Sequence, residues 1–174
     1  MKSIVFERGF TLIELVMVII ILSVLGAMAF PRFLNLSNDA IIASVKGTGG
    51  TFKSAIQTAH TVWVARANGL PAENLPIYSN NQSGQLDFNA NGWPSQQWFG
   101  GIEANPILNN VNDCLSVWGA LFDGGTPTVS RNANQADYQA IYLGNNSCDY
   151  YYDSNSNEKI TYNSNTGDVT VTTF

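Results

Sequence analysis

Residues 9–31 read GFTLIELVMVIIILSVLGAMAFP, and this stretch decides most of what the chain can be. Glu14 is the only charged residue among the 21 positions from Phe10 to Phe30. At ~1.5 Å per residue, a helix of that length spans roughly 30 Å, which is one hydrocarbon thickness of a bilayer. A lone carboxylate there costs about 2.5 kcal/mol or more unless it finds a partner. The sequence therefore predicts a membrane-spanning helix in which Glu14 needs an explanation.

The composition indicates an exported protein with one domain beyond the apolar stretch. The chain has 174 residues, a net charge of −5 and 12% charged residues, and Asn, Ser, Thr and Gly are abundant after residue 70. The negative charge disfavours nucleic acid as a partner. Both cysteines, Cys114 and Cys148, follow the apolar stretch. An export signal favours one disulfide between them over two free buried thiols, closing a loop of about 34 residues at a gain of ~3–4 kcal/mol.

Three interpretations of the N-terminus compete. The first is a secretory signal peptide with basic Lys2 and Arg8 and a small-x-small cleavage site, AMA, that ends at Ala29. The second is a single-pass anchor that the same two basic residues orient, with nine residues in the cytoplasm. The third is cleavage between Gly9 and Phe10, on the other side of the apolar stretch. In that case the apolar helix stays in the mature protein.

The third interpretation explains the carboxylate. Cleavage after Gly9 creates a new α-amine at Phe10, four residues before Glu14. In an assembly the amine of one chain can meet the Glu14 of its neighbour, which pairs two charges that would each be costly to bury alone. The other two interpretations leave Glu14 without a function, so we favour cleavage after Gly9.

The segment from Arg8 to Glu14, RGFTLIE, resembles the prepilin peptidase site of type IV pilins and of the pseudopilins of type II secretion. The resemblance implies that prepilin peptidase cleaves between Gly9 and Phe10 and that Phe10 becomes N-methylated. It also implies that Glu14 forms the assembly salt bridge. The leader departs from the usual purely basic pattern at Glu7.

The resemblance covers about residues 5–45. Pro31, at the end of the apolar stretch, matches a proline that is common in the pilin helix. The pentapeptide PRFLN and the paired cysteines further resemble the pilins of the mannose-sensitive haemagglutinin (MSHA) class. This resemblance implies a disulfide that encloses the C-terminal region.

The pattern after Pro31 predicts that the helix continues with one apolar side. The apolar residues of that side are Ile41, Val45, Phe52, Ile56, Ala59 and Trp63. Their spacing is helical, so the helix is expected to run from Phe10 to about Asn68 and to stop at Gly69. Pro31 is expected to kink the helix, because it removes a backbone hydrogen bond. Glycines at 47, 49 and 50 form a second weak point.

The head, residues 69–174, is predicted to be a short helix and an antiparallel sheet. Residues 69–101 are expected to form a connecting loop with at most short strands, and a helix is expected from Asn105-Pro106 to about Phe122. Four strands are predicted, at 138–144, 148–153, 158–163 and 168–174. The expected fold class is α+β: a long N-terminal helix, with an exposed apolar half and an amphipathic half, packed on a C-terminal antiparallel sheet of about four strands.

The expected organisation has four parts. These are a cytoplasmic leader peptide at 1–9, a transmembrane or filament-core helix at 10–30, an amphipathic helix at 31–68 and the globular head at 69–174.

No catalytic residue, metal site or cofactor is predicted. His60, the only histidine, lies beside the apolar side of the helix, where packing is the expected role. The segment 153–158 alternates oxygen ligands as a calcium loop does, but Glu158 replaces the required Gly and position 164 is Ser, so a hairpin turn is expected. The aromatic residues of 91–101 could stack on sugars, although such residues more often close a small core.

The resemblance therefore implies an MSHA-like type IV pilin, a non-enzymatic subunit that polymerises as a homo-oligomeric helical filament used for adhesion. Before assembly it is expected in the inner membrane with its head in the periplasm, and afterwards in an extracellular pilus. The expected partners are the prepilin peptidase and methylase, the assembly platform and a cytoplasmic ATPase. An external surface or glycan is a candidate receptor, and nucleic acid is not expected.

Two other functions stay open. One is a pseudopilin of a type II secretion system, which the cysteine pair disfavours, since major pseudopilins more often stabilise their C-terminal region with calcium. The other is a secreted soluble protein released by cleavage after Ala29.

Overall fold

The computed structural model describes residues 9–78, 80–97, 100–123, 125–152 and 157–173, except for the side chains of residues 31–35 and 83. The chain divides into two compact units, Met1–Ile41 and Ile42–Phe174. One α-helix, α1 (Leu12–Arg66, 55 residues), contributes to both. Because the predicted leader ends at residue 9, nearly all of it lies outside the described residues.

The first unit contains the apolar part of α1. The helical backbone is continuous through position 31. The side chain of Pro31 lies outside the described residues, and the predicted kink stays a prediction. At its other end α1 stops at Arg66, two residues before the expected end. Asn68 and Gly69 then take left-handed φ values of 52° and 78°, as a helix-terminating glycine commonly does.

The second unit is an α+β head built around the amphipathic part of α1. After α1 come strands β1 (Ala72–Pro76), β2 (Gln85–Phe88) and β3 (Pro94–Gln96), helix α2 (Val111–Leu121), and strands β4 (Val129–Ser130), β5 (Tyr138–Gly144), β6 (Ser147–Tyr152), β7 (Lys159–Asn163) and β8 (Asp168–Thr172). The first three strands form one antiparallel sheet. The other five form a second sheet in the order β4-β5-β6-β7-β8.

The C-terminal sheet confirms the predicted antiparallel strands. Strands β5 to β8 fall on the four predicted segments; β5 matches its segment, and no end of the other three is shifted by more than two residues. Each pairs antiparallel with the next. Asn145 and Asn146 connect β5 to β6 with positive φ values of 49° and 57°, as a two-residue hairpin turn requires. The two-residue strand β4, which pairs parallel to β5, was not predicted because two residues carry no periodic pattern.

Residues 72–96, expected to be mainly a connecting loop, contain a complete three-stranded sheet. Its central strand β2 buries Leu86, Asp87 and Phe88 in succession, so the alternation that marks a strand in the sequence is missing. Asp87 is tolerated there because its carboxylate accepts a hydrogen bond of 2.7 Å from the backbone N–H of Asn74. Strand β2 was therefore not predicted from the sequence, because a buried, hydrogen-bonded carboxylate interrupts its hydrophobic pattern.

Helix α2 begins at Val111, and the predicted start at Asn105-Pro106 was wrong. The true start is set by Asn110, whose side chain accepts from the backbone N–H groups of Asn112 and Asp113. The Asp113 carboxylate accepts from the backbone N–H of Asn110 in return, which completes a capping box. Burial raises the pKa of Asp113, while hydrogen bonds from the backbone N–H groups of Asn109 and Asn110 oppose that shift.

Phe52 of α1 lies at the centre of the head core and is fully buried. Its ring centroid is 5.0 Å from that of Trp118 in α2, and 5.4 and 5.8 Å from those of Tyr150 and Tyr162 in the C-terminal sheet. Of the predicted apolar side of α1, the residues from Val45 to Trp63 are buried in this core. The prediction that the amphipathic helix covers one face of the sheet is therefore confirmed.

The predicted disulfide is present and joins Cys114 of α2 to Cys148 of β6, with a Cα–Cα distance of 5.8 Å. Beside it, the Tyr150 hydroxyl donates a 2.9 Å hydrogen bond to the Cys114 carbonyl. The second helix is thus held to the sheet by a covalent bond and a buried hydrogen bond.

Close packing of α1 on the sheet gives a first prediction. A Cβ added at Gly49 would lie 2.2 Å from Cγ2 of Val171, whereas a Cβ at Gly50 would meet nothing within 4 Å. Gly50→Ala should therefore stabilise the head by about 0.5–1 kcal/mol through helix propensity alone. Gly49→Ala should destabilise it by about 1–3 kcal/mol, because the Val171 side chain, or β8 with it, must move to make room. Thermal unfolding of both variants, followed by circular dichroism, measures the difference, and equal effects would contradict the packing.

A second prediction concerns the disulfide. Replacing Cys114 and Cys148 together by Ala should lower the free energy of unfolding by roughly 3–4 kcal/mol, because a loop of 34 residues is no longer closed in the unfolded chain. Intact mass of the wild-type chain should rise by about 2 Da on reduction, one hydrogen for each sulfur. A native chain that already reacts with maleimide at both cysteines would contradict this prediction.

Candidate processing and assembly site

The peptide bond between Gly9 and Phe10 lies just outside the helix. Residues 9–11 have no helical assignment, and α1 begins at Leu12. Phe10 is 82% exposed. Apart from its chain neighbours, no described residue has a heavy atom within 4 Å of a Cβ built at Gly9. A peptidase could therefore bind this bond in an extended conformation without first unwinding α1.

Thr11 starts the helix. Its Oγ1 accepts a 3.3 Å hydrogen bond from the backbone N–H of Glu14, and its carbonyl accepts from the N–H of Leu15 at 3.2 Å. Thr-x-x-Glu is the sequence pattern of a capping box, in which the Glu side chain bonds back to the first residue. Sequence reasoning missed this, although the pattern is visible in the sequence. In the structure the Thr11 half of this box is present, and Glu14 lies in the first turn, where the helix dipole favours negative charge.

The first part of α1 is apolar on every side. Leu12–Phe30 is a 19-residue stretch with mean hydropathy 2.7, and none of it is buried within the chain. Its length is about 28 Å at ~1.5 Å per residue, enough to cross a bilayer. Contact between such a surface and water is unfavourable, because apolar area gains free energy when it is removed from water. The surface is therefore suited to contact with lipid or with other apolar helices.

Two polar side chains interrupt this stretch, Glu14 and Ser23. The Ser23 hydroxyl donates a 2.6 Å hydrogen bond to the carbonyl of Ile19 one turn earlier, so it is satisfied inside the helix. The carboxylate of Glu14 is exposed, and no cation within the described residues pairs with it. Glu14 is therefore the one side chain of the stretch that can form a strong polar contact with a second molecule.

The other residues singled out from the sequence have packing roles. Nδ1 of His60 lies 2.6 Å from the carbonyl oxygen of Gly92. The His60 ring stacks between Trp63 and Trp93, at centroid distances of 5.4 and 4.0 Å. The packing role expected for His60 is confirmed, and Trp93 from the aromatic loop closes this part of the core as expected. Trp98 and Phe99 of that loop lie outside the described residues.

The calcium-like segment also stays largely undescribed, because residues 153–156 lie outside the described part of the chain. Glu158 at its end is buried, at 1% exposure. Within the described residues no group of three or more His, Cys, Asp or Glu side chains is arranged to hold a metal ion.

Comparison with known proteins agrees with this geometry. Residues 6–30 match the family described as the prokaryotic N-terminal methylation motif. A curated relative, the type IV narrow pilus major component PilA5 of Thermus thermophilus, is 36% identical over 77 residues, which is 44% of this chain and 62% of that protein. The chain thus covers less than two thirds of that relative. No solved structure gives a significant match.

The N-terminal methylation motif, the exposed apolar helix and the α+β head together are type IV pilin-like. The N-terminal methylation motif coincides with the start of the exposed apolar helix. The second part of α1 packs on an antiparallel sheet in an α+β head that one disulfide stabilises.

Proposed function

We propose that this chain is a type IV pilin, a structural and non-enzymatic subunit whose apolar helix at 10–30 forms the core of a cell-surface filament. One observation carries the proposal: no residue of Leu12–Phe30 is buried within the part of the chain that the structure describes, and this stretch lies inside the match to the methylation motif. The inner membrane covers this surface before assembly, and the same helices of neighbouring copies cover it afterwards. The head has its own core and stays on the outside.

Maturation requires other proteins. A membrane prepilin peptidase cuts after Gly9 and methylates the new N-terminus at Phe10, with the head on the periplasmic side. The open backbone at residues 9–11 supports cleavage at this bond. An assembly platform and a cytoplasmic ATPase then drive the subunit out of the membrane, because extracting a helix of this hydropathy from lipid is strongly unfavourable.

Glu14 guides assembly. Its carboxylate pairs with the Phe10 amine of a neighbouring subunit, so that neither charge is buried alone in the apolar filament core. No salt bridge of Glu14 is found among the described residues, which leaves its carboxylate open to a partner from another copy.

The filament serves surface attachment, and the subunit belongs to the MSHA-like pilins. The PRFLN pentapeptide after the apolar stretch and the Cys114–Cys148 disulfide support that subclass. Electron microscopy of sheared cell-surface material tests it: a strain lacking this chain should lose one class of fibre and attach less. A strain that keeps all its fibres but fails to secrete enzymes would instead indicate a type II secretion pseudopilin.

The first test of the proposal concerns processing. The mature chain should begin at N-methyl-Phe10, so its intact mass should lack residues 1–9 and carry one added methyl group. Gly9→Leu should leave the full-length precursor in the membrane, because the peptidase needs a small residue before the cut. A mature chain that begins at Phe30 would establish the signal-peptide interpretation and end the pilin proposal.

The second test separates the two roles of Glu14. Glu14→Ala removes the whole polar side chain, whereas Glu14→Gln keeps a side chain that can cap the helix and removes only the charge; both keep the backbone N–H that donates to Thr11. If intersubunit pairing matters, both variants should be processed normally and both should fail to form fibres. The neighbour's amine would then be left unpaired in an apolar core, a penalty of about 3–5 kcal/mol.

The control for that test is Thr11→Ala, which weakens the cap and leaves the carboxylate. It should lower helix stability by ~1 kcal/mol and still give fibres. Normal fibre numbers with Glu14→Gln would show that capping, and not charge pairing, is the reason for Glu14.

A further inference from the structure

The dipeptide Asn-Gly occurs twice in the chain, at Asn68-Gly69 and at Asn91-Gly92. In this dipeptide the backbone nitrogen of the glycine can attack the side-chain amide carbon of the asparagine, because glycine has no side chain to hinder the approach. The attack requires the peptide group between the two residues to rotate and the side-chain amide to be free. The fold places the two pairs in opposite surroundings.

Asn68-Gly69 is the open pair. It forms the turn after α1, where both residues are exposed and have positive φ values of 52° and 78°. Among the described residues, neither the Asn68 side chain nor the peptide group that joins it to Gly69 forms a hydrogen bond. Apart from its chain neighbours, no described residue has a heavy atom within 4 Å of a Cβ built at Gly69. Rotation of this peptide group therefore breaks no described hydrogen bond.

Asn91-Gly92 is the closed pair. Gly92 is buried, and its N–H donates a 2.9 Å hydrogen bond to the carbonyl of Asn89. The Gly92 carbonyl oxygen lies 2.6 Å from Nδ1 of His60. The side-chain amide of Asn91 donates to the carbonyl of Asn165 at 3.0 Å. Attack by the Gly92 nitrogen requires its own hydrogen bond and that of the Asn91 amide to break, so the fold opposes the reaction here.

We propose that Asn68 is a site of spontaneous deamidation in the folded head, and that the fold protects Asn91. The Gly69 nitrogen forms a bond to Cγ of Asn68 and gives its proton to water, while the Cγ–Nδ2 bond breaks and Nδ2 leaves as ammonia. Water then opens the resulting cyclic imide. Opening between Cγ and the nitrogen gives aspartate. Opening between the main-chain carbonyl carbon and the nitrogen gives isoaspartate, whose main chain runs through the former side chain.

The reaction changes both charge and main-chain length between α1 and β1. Either product places a negative charge at the C-terminal end of α1, where the helix dipole disfavours it. Isoaspartate also lengthens the chain between two bonds that hold this turn. These are the bond from the Leu70 N–H to the Ala67 carbonyl, at 3.0 Å, and the bond from Nε1 of Trp63 to the Leu70 carbonyl, at 2.8 Å. The modified head should therefore be less stable at this end of α1.

The experiment incubates the full-length chain in detergent for several days in mildly alkaline buffer, which favours loss of the proton from the attacking nitrogen. Trypsin and a glutamate-specific protease, used at mildly acidic pH to stop the reaction, release residues 67–73 with Asn68 and 74–103 with Asn91. Tandem mass spectrometry locates the gain of about 1 Da that accompanies replacement of an amide by a carboxylate. In the native chain Asn68 should react roughly tenfold or more faster than Asn91, the effect of at least one hydrogen bond.

Two controls separate the fold from the local sequence. In the chain unfolded by guanidinium and reduced, both pairs are open, and Asn68 and Asn91 should react at similar rates. Asn68→Gly suits the left-handed backbone at this position and has no amide to lose. Its fragment 67–73 should keep its mass. Incubation should lower the Tm of the wild-type chain and leave that of Asn68→Gly unchanged.

Two results would overturn the proposal. The first is a native chain whose fragment 67–73 keeps its mass while the same fragment of the unfolded chain gains it, because the turn would then be closed to the reaction. The second is equal rates at Asn68 and Asn91 in the native chain, because the fold would then protect neither site. A wild-type Tm that stays constant while Asn68 reacts would contradict the loss of stability at the end of α1.

Discussion

The apolar surface of Leu12–Phe30 is the constraint on which the rest of the molecule depends. None of it is buried among the described residues, and its length is that of a bilayer core. By length and composition this stretch is suited to lipid or to packing beside other apolar helices. The head does not share this requirement, because Phe52 and the aromatic residues around it give residues 42–174 a buried core of their own.

Helix α1 provides both the exposed apolar stretch and one side of the head core, because the distribution of its apolar side chains changes along its length. From residue 12 to residue 30 every side of α1 is apolar, and in the second unit only the side that includes Val45, Phe52 and Ile56 is buried. Gly49 lets β8 approach the helix more closely than any side chain would allow. The glycines that look in the sequence like a weak point of the helix thus include one position where close packing requires a glycine.

The sequence predicted what depends on periodicity or on charge in an apolar setting. The apolar side of α1, the strands β5 to β8 and the Cys114–Cys148 pair follow from local patterns or from residue counts, and the structure contains them. The elements that the sequence did not predict depend on residues far apart in the chain, or on polar groups that are buried and hydrogen-bonded to each other. Strand β2 was hidden because Asp87 is buried against the N–H of Asn74. The start of α2 was misplaced by five or six residues, because Asn110 and Asp113 cap each other through side chains that no hydrophobic pattern records.

The residues of interest divide in the same way, into those that local sequence signals indicate and those that only the fold brings together. Gly9, Phe10 and Glu14 could be named from the sequence because a cleavage motif and a lone carboxylate in an apolar stretch are both local signals. The contacts of Tyr138 could not, since they join α1 to both strands of a hairpin. Only the fold brings Thr48 and Tyr138, ninety positions apart in the sequence, close together.

The disulfide also determines where the chain can change in length at little cost in stability. It ties the two ends of the segment 114–148 to the core, and most of the residues from 123 to 137 inside that segment are exposed. Loop-closure entropy rises only slowly with length, so insertions or deletions between the two anchors change stability little. Thr126 and Asp137 lie in this exposed part, whereas Tyr138 and Tyr152 lie in the sheet. The length and side chains of residues 123–137 can therefore change, and with them the surface that the head presents, without refolding the head.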